Sequence, residues 1–439
     1  MIAALVGLGA LVALGSGAAA HSGIQSYVYM SFTDTEVEGR VEYPQADLGE
    51  ILGIDFPDDP DEAEAVAVAN FAAIRAYTAE HLAIGDLEGE WELAFAETPG
   101  YLQAAGGYVL VPFTVERTFD GAPREFRVDY DGIIHAMPER DALFLVENDW
   151  GTARIDNEGD HLLGFSIGMT SQAIELDDVG ALESISAARG LGTEVIARGV
   201  DHLLFIVVLL LPAALASTAG RPLGAAPTLR DATRRGVGLL GTSLLASSVV
   251  LWALAVPAVD LPSDLVGTAV AASLLVVALH AMLRFTSRDR LVAGALGAVQ
   301  GLGFAHGYLE VGLDRFGTPL AVLAFNLGTI TATVTIAVLV FPVMLVLRRT
   351  AIAGAALYGV AGASCLYAIA WMIERIAGTD LPVERVATPL RVWPRNFWFV
   401  LLALVAAAVL LAWTSRNDSL RPLEGADTTS DDDSPKVLS

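Results

Sequence analysis

The hydrophobic rhythm of the chain changes near residue 190. Before that point apolar and polar residues mostly alternate, the period-two pattern of a strand with one buried face. "SYVYMSF" (26–32) and "EVEGRVEY" (36–43) read as strands, the second closed by Pro44. Residues 60–84 read instead as a helix, with Pro60 at the start, acids in the first turn and no breaker inside. From 90 to 167 short alternating runs return ("EWELAF", "YVLVPFTVERTF", "EFRVDY", "ALFLVEN", "HLLGFSI"), separated by Gly and Pro. The pattern predicts a sandwich-like β-rich domain with one helical insertion, then an acidic linker at 175–190.

From residue 193 the alternation gives way to long uncharged runs, each near the ~20 residues a helix needs to cross a bilayer. Seven transmembrane helices are expected, at 193–216, 236–256, 264–284, 291–309, 318–347, 351–373 and 396–414. The expected fold class is an α-helical polytopic membrane protein with an N-terminal, extracytoplasmic, β-rich (α+β) domain. Its parts are a signal peptide at 1–20, the exported domain at 21–190, the membrane domain at 191–415 and a disordered cytoplasmic tail at 416–439. The signal reading rests on the apolar opening and the Ala18-x-Ala20 end, although no Lys or Arg precedes the apolar core.

Charge fixes the expected orientation. Loops after the first, third and fifth spans carry Arg221, Arg230, Arg234 and Arg235, then Arg288 and Arg290, then Arg348 and Arg349. Loops after the second and fourth carry Asp260, then Glu310 and Asp314 with Arg315 as the one base. By the positive-inside rule this puts the N-terminal domain outside the cytoplasmic membrane of a bacterium or archaeon and the C-terminus in the cytoplasm. The loop after the sixth span departs, with Arg375, Arg385, Arg391 and Arg395 beside Trp393 and Trp398. The net charge of −25 belongs to one region: residues 21–190 hold 34 acids against 8 arginines, and the remainder is nearly neutral. Such a surface repels nucleic acid and attracts cations, and it also suits solubility in a salty habitat. The single cysteine, Cys365, excludes an internal disulfide and a thiolate metal cage.

Ionisable residues inside a membrane helix are costly and mark function. "RGVDHLLFIVVLLLP" (198–212) puts Arg198, Asp201 and His202 at the mouth of an apolar helix. Glu194 and Arg198 stand four apart, the spacing of a helical ion pair. Asp201 and His202 suit a borderline divalent ion or a proton relay. They equally suit a helix cap and an interhelical hydrogen bond. In "QGLGFAHGYLE" (300–310) His306 and Glu310 share one face near the outer end, while Gly301, Gly303 and Gly307 permit close helix approach. "AFNLGTITATVT" adds Asn326 at similar depth, and His280 falls near the cytoplasmic end of the third span.

Three stretches, "GVDHLLFIVVLLL", "GLGFAHG" and "FNLG", together with "HSGIQSYVYM" and "GRVEYPQADLGEILGID" near the front, resemble the HupE/UreJ family of membrane proteins. The resemblance implies a nickel or cobalt permease. It matches Asp201 and His202 to the family's Asp-His pair, and His306 with Gly307 to its His-Gly. The chain departs from the family pattern at Val195, Thr242 and Gln300, where histidines are usual, and at Ile330, where an acid is usual. Metal ligands are then Asp201, His202, His306, Glu310 and Glu194, supported by Asn326, Gln300, Arg198 and His280. The expected partners are the transported divalent cation, membrane lipid and an extracytoplasmic metal carrier or partner protein. No tightly bound cofactor is expected.

His21, at the mature N-terminus if cleavage follows Ala20, would offer an amine and an imidazole to copper, with one more histidine from His81, His135 or His161. No Ser-His-Asp arrangement, phosphate loop or HExxH motif supports an enzyme. Two functions therefore compete: a divalent-metal permease, and a membrane-anchored accessory protein whose exported domain binds metal or a partner.

Overall fold

The computed structural model describes residues 25–103, 106–215, 228–259, 261–316, 319–348 and 353–377. The first half is an α+β domain. Strands β1 (Ser26–Phe32), β2 (Val37–Pro44), β5 (Leu93–Phe95), β6 (Gly100–Leu102), β7 (Tyr108–Val115), β9 (Ala142–Asp149) and β10 (Leu163–Phe165) form a seven-stranded sheet, ordered β10-β9-β1-β2-β7-β5 with β6 also on β7. A second sheet runs β11 (Ser171–Glu175), β8 (Glu125–Tyr130), β3 (Leu82–Asp86), β4 (Gly89–Glu90). Among the described residues only the β1–β9 pair is parallel.

β1 shows why "SYVYMSF" is so apolar. Val28, Met30 and Phe32 enter the main core shared by both sheets, while Tyr27 and Tyr29 pack with Tyr108 and Leu145 on the opposite face. A central strand covered on both faces has no wet side to alternate toward. Two helices complete the domain, α1 (Gln45–Leu52) and α2 (Pro60–His81). Asp59 caps α2 by accepting the N–H groups of Asp61 and Glu62, and Ala67, Phe71, Ile74 and Tyr77 carry its buried face into the core. The helix expected over 60–84 ends at His81, because Leu82–Gly85 pair in register with Arg127–Tyr130 of β8. Sheet pairing outweighs helix continuation there.

The second half is helical: α3 (Ala181–Arg198), α4 (Val200–Ala214), α5 (Leu229–Ala255), α6 (Ser263–Leu283), α7 (Asp289–Glu310), α8 (Pro319–Leu347) and α9 (Ala353–Ala377). Residues 181–190, expected within a linker, are the first turns of α3. The span expected over 193–216 is not one helix. It breaks at Gly199 and turns by 73° into α4. Helices α5, α6, α8 and α9 are each long and apolar enough to cross a membrane, and the bent α3–α4 pair counts as a fifth span if taken together. Helix α7 is 22 residues long, but its glycines, Gln300 and His306 dilute its apolar content. The seventh expected span, 396–414, lies outside the described residues.

Glycine sets the closest helix contacts. On α7, Gly297 and Gly301 are one turn apart and rest on the backbone of Ser243 and Ser247 of α5; a Cβ at either would lie within 2.6 Å of the Ser243 or Ser247 carbonyl oxygen. This is the small-xxx-small packing that membrane helices use in place of hydrophobic burial. Gly192 of α3 and Gly328 of α8 do the same, meeting the Phe325 and Arg189 carbonyls. The two halves touch where Ser184 Oγ donates to the Trp150 carbonyl at 2.7 Å and Trp150 meets Phe316.

Candidate functional site

The break at Gly199 builds the mouth of α4. Gly199 has extended backbone (ψ 102°), so α3 ends and α4 begins within one residue. A side chain at 199 would collide with its neighbours: a Cβ there would sit 2.5 Å from His202 Cδ2 and 3.1 Å from Asp201 Oδ1. Asp201 lies in the first turn of α4, where an acid complements the helix dipole. His202 follows, and both residues are buried.

A chain of hydrogen bonds then assigns the imidazole tautomer. Ser273 Oγ donates to the Val270 carbonyl at 2.7 Å, so it accepts from Gln300 Nε2 at 2.9 Å. Gln300 therefore turns Oε1 toward His202, 2.7 Å from Nδ1. An oxygen acceptor requires a proton on Nδ1, which also lies 3.2 Å from Asp201 Oδ2. Nε2 keeps its lone pair and has no hydrogen-bond partner among the described residues. This is the arrangement in which histidine serves a metal, with one nitrogen oriented by an outer partner and the other free to coordinate. His202 and Gln300 border a cavity of about 20 Å³, walled also by Ile196, Ser243, Ser247, Phe304 and Thr333. That is room for one water, not for a hydrated ion.

The other sequence-derived candidates lie around this chain rather than in it. Glu194 pairs with Arg198 along α3. His306 is half-buried and Glu310 exposed on α7, and His306 does not line the cavity. Asn326 Oδ1 accepts from Ser248 Oγ at 3.0 Å, tying α8 to α5. His280 Nε2 lies 3.2 Å from Asp289 Oδ1 at the far end of the bundle, where Arg284 also donates to Asp289 at 2.7 Å. His21 is outside the described residues. Ser273, which orients Gln300, carries no sequence signal of its own, since a serine in an apolar helix usually bonds its own backbone.

Among the described residues, three metal-ligating side chains converge only at His81, Asp131 and His135, with all their ligand atoms within 4.8 Å of one another. That cluster belongs to the α+β domain. The sequence offers His81 and His135 only as possible partners of His21; their convergence with Asp131 escapes it because His81 and Asp131 are 50 residues apart in the chain and meet through the β3–β8 pairing.

No curated protein and no solved structure gives a significant match to the chain. Residues 171–375, from β11 to the end of α9, match the family described as HupE / UreJ protein. The match covers the broken helix, the Asp201–His202 pair and the Gly-rich α7. The helical half of this membrane protein belongs to the HupE/UreJ family.

Proposed function

We propose that the helical half carries a divalent transition-metal ion, nickel or cobalt, across the membrane, with the α+β domain on the outer side. The observation that carries the reading is the wiring of His202: Gln300 and Asp201 hold Nδ1–H, and Nε2 makes no hydrogen bond among the described residues. A carboxylate beside an imidazole favours a borderline divalent ion over a hard one. The half-helix junction at Gly199 adds support, because broken helices place polar backbone at membrane depth where transported ions bind. Arg235, Arg284, Arg288 and Arg290 line one pocket at the end of the bundle opposite Asp201, which favours that end as the cytoplasmic one.

In this reading Asp201 and His202 bind the ion. His306 and Glu310 lie toward the outer mouth, Glu194 stands at the approach, and Asn326 holds α8 in place. The small cavity corresponds to a closed state, and transport requires α4 and α7 to part. The same small cavity favours the competing reading, a non-transporting accessory protein whose helices are a scaffold.

One experiment separates the two. Nickel, cobalt, copper, zinc and manganese uptake is measured in cells making the protein or an Asp201→Ala/His202→Ala variant of equal abundance. The permease reading expects uptake of one metal that falls to the level of cells lacking the protein in the variant. Equal uptake of every metal in both overturns it.

A further inference from the structure

The α+β domain carries its own candidate metal site. Helix α2 ends at His81, and β3 begins at the next residue. Leu82 pairs with Tyr130, so the antiparallel register sets His81 opposite Asp131, whose N–H donates to the His81 carbonyl at 3.3 Å. The side chains meet as well, with His81 Nδ1 2.7 Å from Asp131 Oδ1. The chain after β8 then coils through Asp131–Met137, His135 N–H donating to the Asp131 carbonyl at 3.0 Å. This returns the His135 ring onto His81, centroids 4.1 Å apart and planes 11° from parallel.

The loop is pinned rather than floppy. Ile133 is buried although its φ is +66°, and its N–H donates to Tyr77 Oη at 2.8 Å. Tyr77 in turn packs against both imidazoles. His81 and Asp131 are partly buried, while His135 faces water. The cluster is thus framed from below by the domain core and open to solvent from above.

We infer that His81, Asp131 and His135 bind a divalent transition-metal ion. Two stacked imidazoles and one carboxylate bring two nitrogens and one oxygen within 4.8 Å of one another at a spot open to water. Two nitrogens and one oxygen suit nickel, cobalt or zinc and leave calcium and magnesium, which prefer all-oxygen shells, poorly served. Ligand atoms spread over 4.8 Å must close in to meet one ion at bonds of about 2.1 Å. The exposed His135 ring closes that gap by a rotamer change, which leaves its backbone hydrogen bonds in place. Water fills the remaining positions, as suits a site that hands its ion on. The inference stands whether or not the helical half transports.

The test uses the full-length protein in detergent, metal-free, titrated separately with Co2+ and Ni2+. Binding is followed by calorimetry and by the visible absorption of cobalt. We compare the native chain, His135→Ala, His81→Gln, and the Asp201→Ala/His202→Ala variant. Expected is a site whose affinity drops by more than about a hundredfold in His135→Ala and His81→Gln, beyond what loss of an outer-shell partner alone costs. The membrane variant should keep that site and its cobalt spectrum. His135 is exposed, so its replacement leaves the fold intact, and a thermal midpoint equal to the native one without metal checks this. Metal should raise the midpoint of the native chain but not of His135→Ala. Unchanged affinity in both single variants overturns the inference, as does a cobalt spectrum that disappears only in the Asp201→Ala/His202→Ala variant. A lost exported site with intact uptake, or the reverse, separates this inference from the permease reading.

Discussion

The two polar clusters use the same residue types in opposite surroundings. His202 and Asp201 lie within packed helices and are oriented by a neutral amide, Gln300, backed by a serine. His81, Asp131 and His135 sit at the rim of a sheet, oriented by strand register and a pinned loop. Inside the bundle a polar side chain without a partner is costly, so His202 Nδ1, Gln300 and Ser273 are joined in one chain of hydrogen bonds and His202 Nε2 is left open. At the rim water answers whatever the protein leaves, and two histidines can stack with their ligand atoms still available. The membrane cluster is therefore bound up with stability, while the cluster at the sheet rim is nearly free of that duty.

The sharpest way to break the comparison is to disturb the packing beneath Gln300. A Cβ at Gly301 would sit 2.6 Å from the Ser247 carbonyl and 2.8 Å from Val250 Cβ. Gly301→Leu must therefore push α5 and α7 apart, at about 3 kcal/mol or more. The expected result is a collapse of the thermal midpoint of the purified protein and of its yield in membranes. A normally folded Gly301→Leu would mean that close packing does not position the membrane cluster.

Next in size, Gln300→Leu removes the amide and spares the volume. His202 Nδ1 is left with Asp201 alone at 3.2 Å, and Ser273 loses its donor. The expected loss is about 1–2 kcal/mol, between the ~0.6 kcal/mol of an average interhelical bond and the full cost of a buried orphan. His135→Ala should fall within about 0.5 kcal/mol of the native chain. Thermal unfolding of both variants side by side reads the difference, and equal losses would erase the distinction between the clusters.

Much of this was legible in the sequence, for a physical reason in each case. Alternation announced β2, β7 and β8, and the Pro60–acid start announced α2, because these signals depend on neighbours in the chain. The apolar runs announced the membrane half, and the Asp-His pair marked the mouth of α4. The turn at Gly199 was hidden, since hydropathy registers apolar content and not backbone direction. Gln300 stood as a departure from the family's usual histidine, yet its amide holds His202 in one tautomer. His81 and His135 stood only as possible partners of His21; their convergence on Asp131 was hidden because strand register, not sequence proximity, assembles it.

The smallest effect lies where the halves meet. Partial burial, and then the carboxylates of Glu158, Glu147 and Glu194, push the Asp156 carboxyl up to about 6 from the ordinary value of 3.8. A raised value means that the folded chain holds this proton more tightly than the unfolded chain. Between about pH 4 and pH 6 the folded state binds more protons, so stability falls as pH rises through that window. Above it the penalty is complete, and below it the penalty is absent. Asp156→Asn removes the ionisation and should be more stable relative to the native chain at pH 7 than at pH 4. Asp156 still touches water, so screening holds the difference under about 1 kcal/mol. Asparagine also tolerates the φ of +53° at this position, a gain independent of pH. Only the pH-dependent part bears on the electrostatics, and it is read from thermal midpoints of both proteins across that range. A constant offset would mean that neither burial nor the neighbouring carboxylates raise the Asp156 carboxyl in the folded chain.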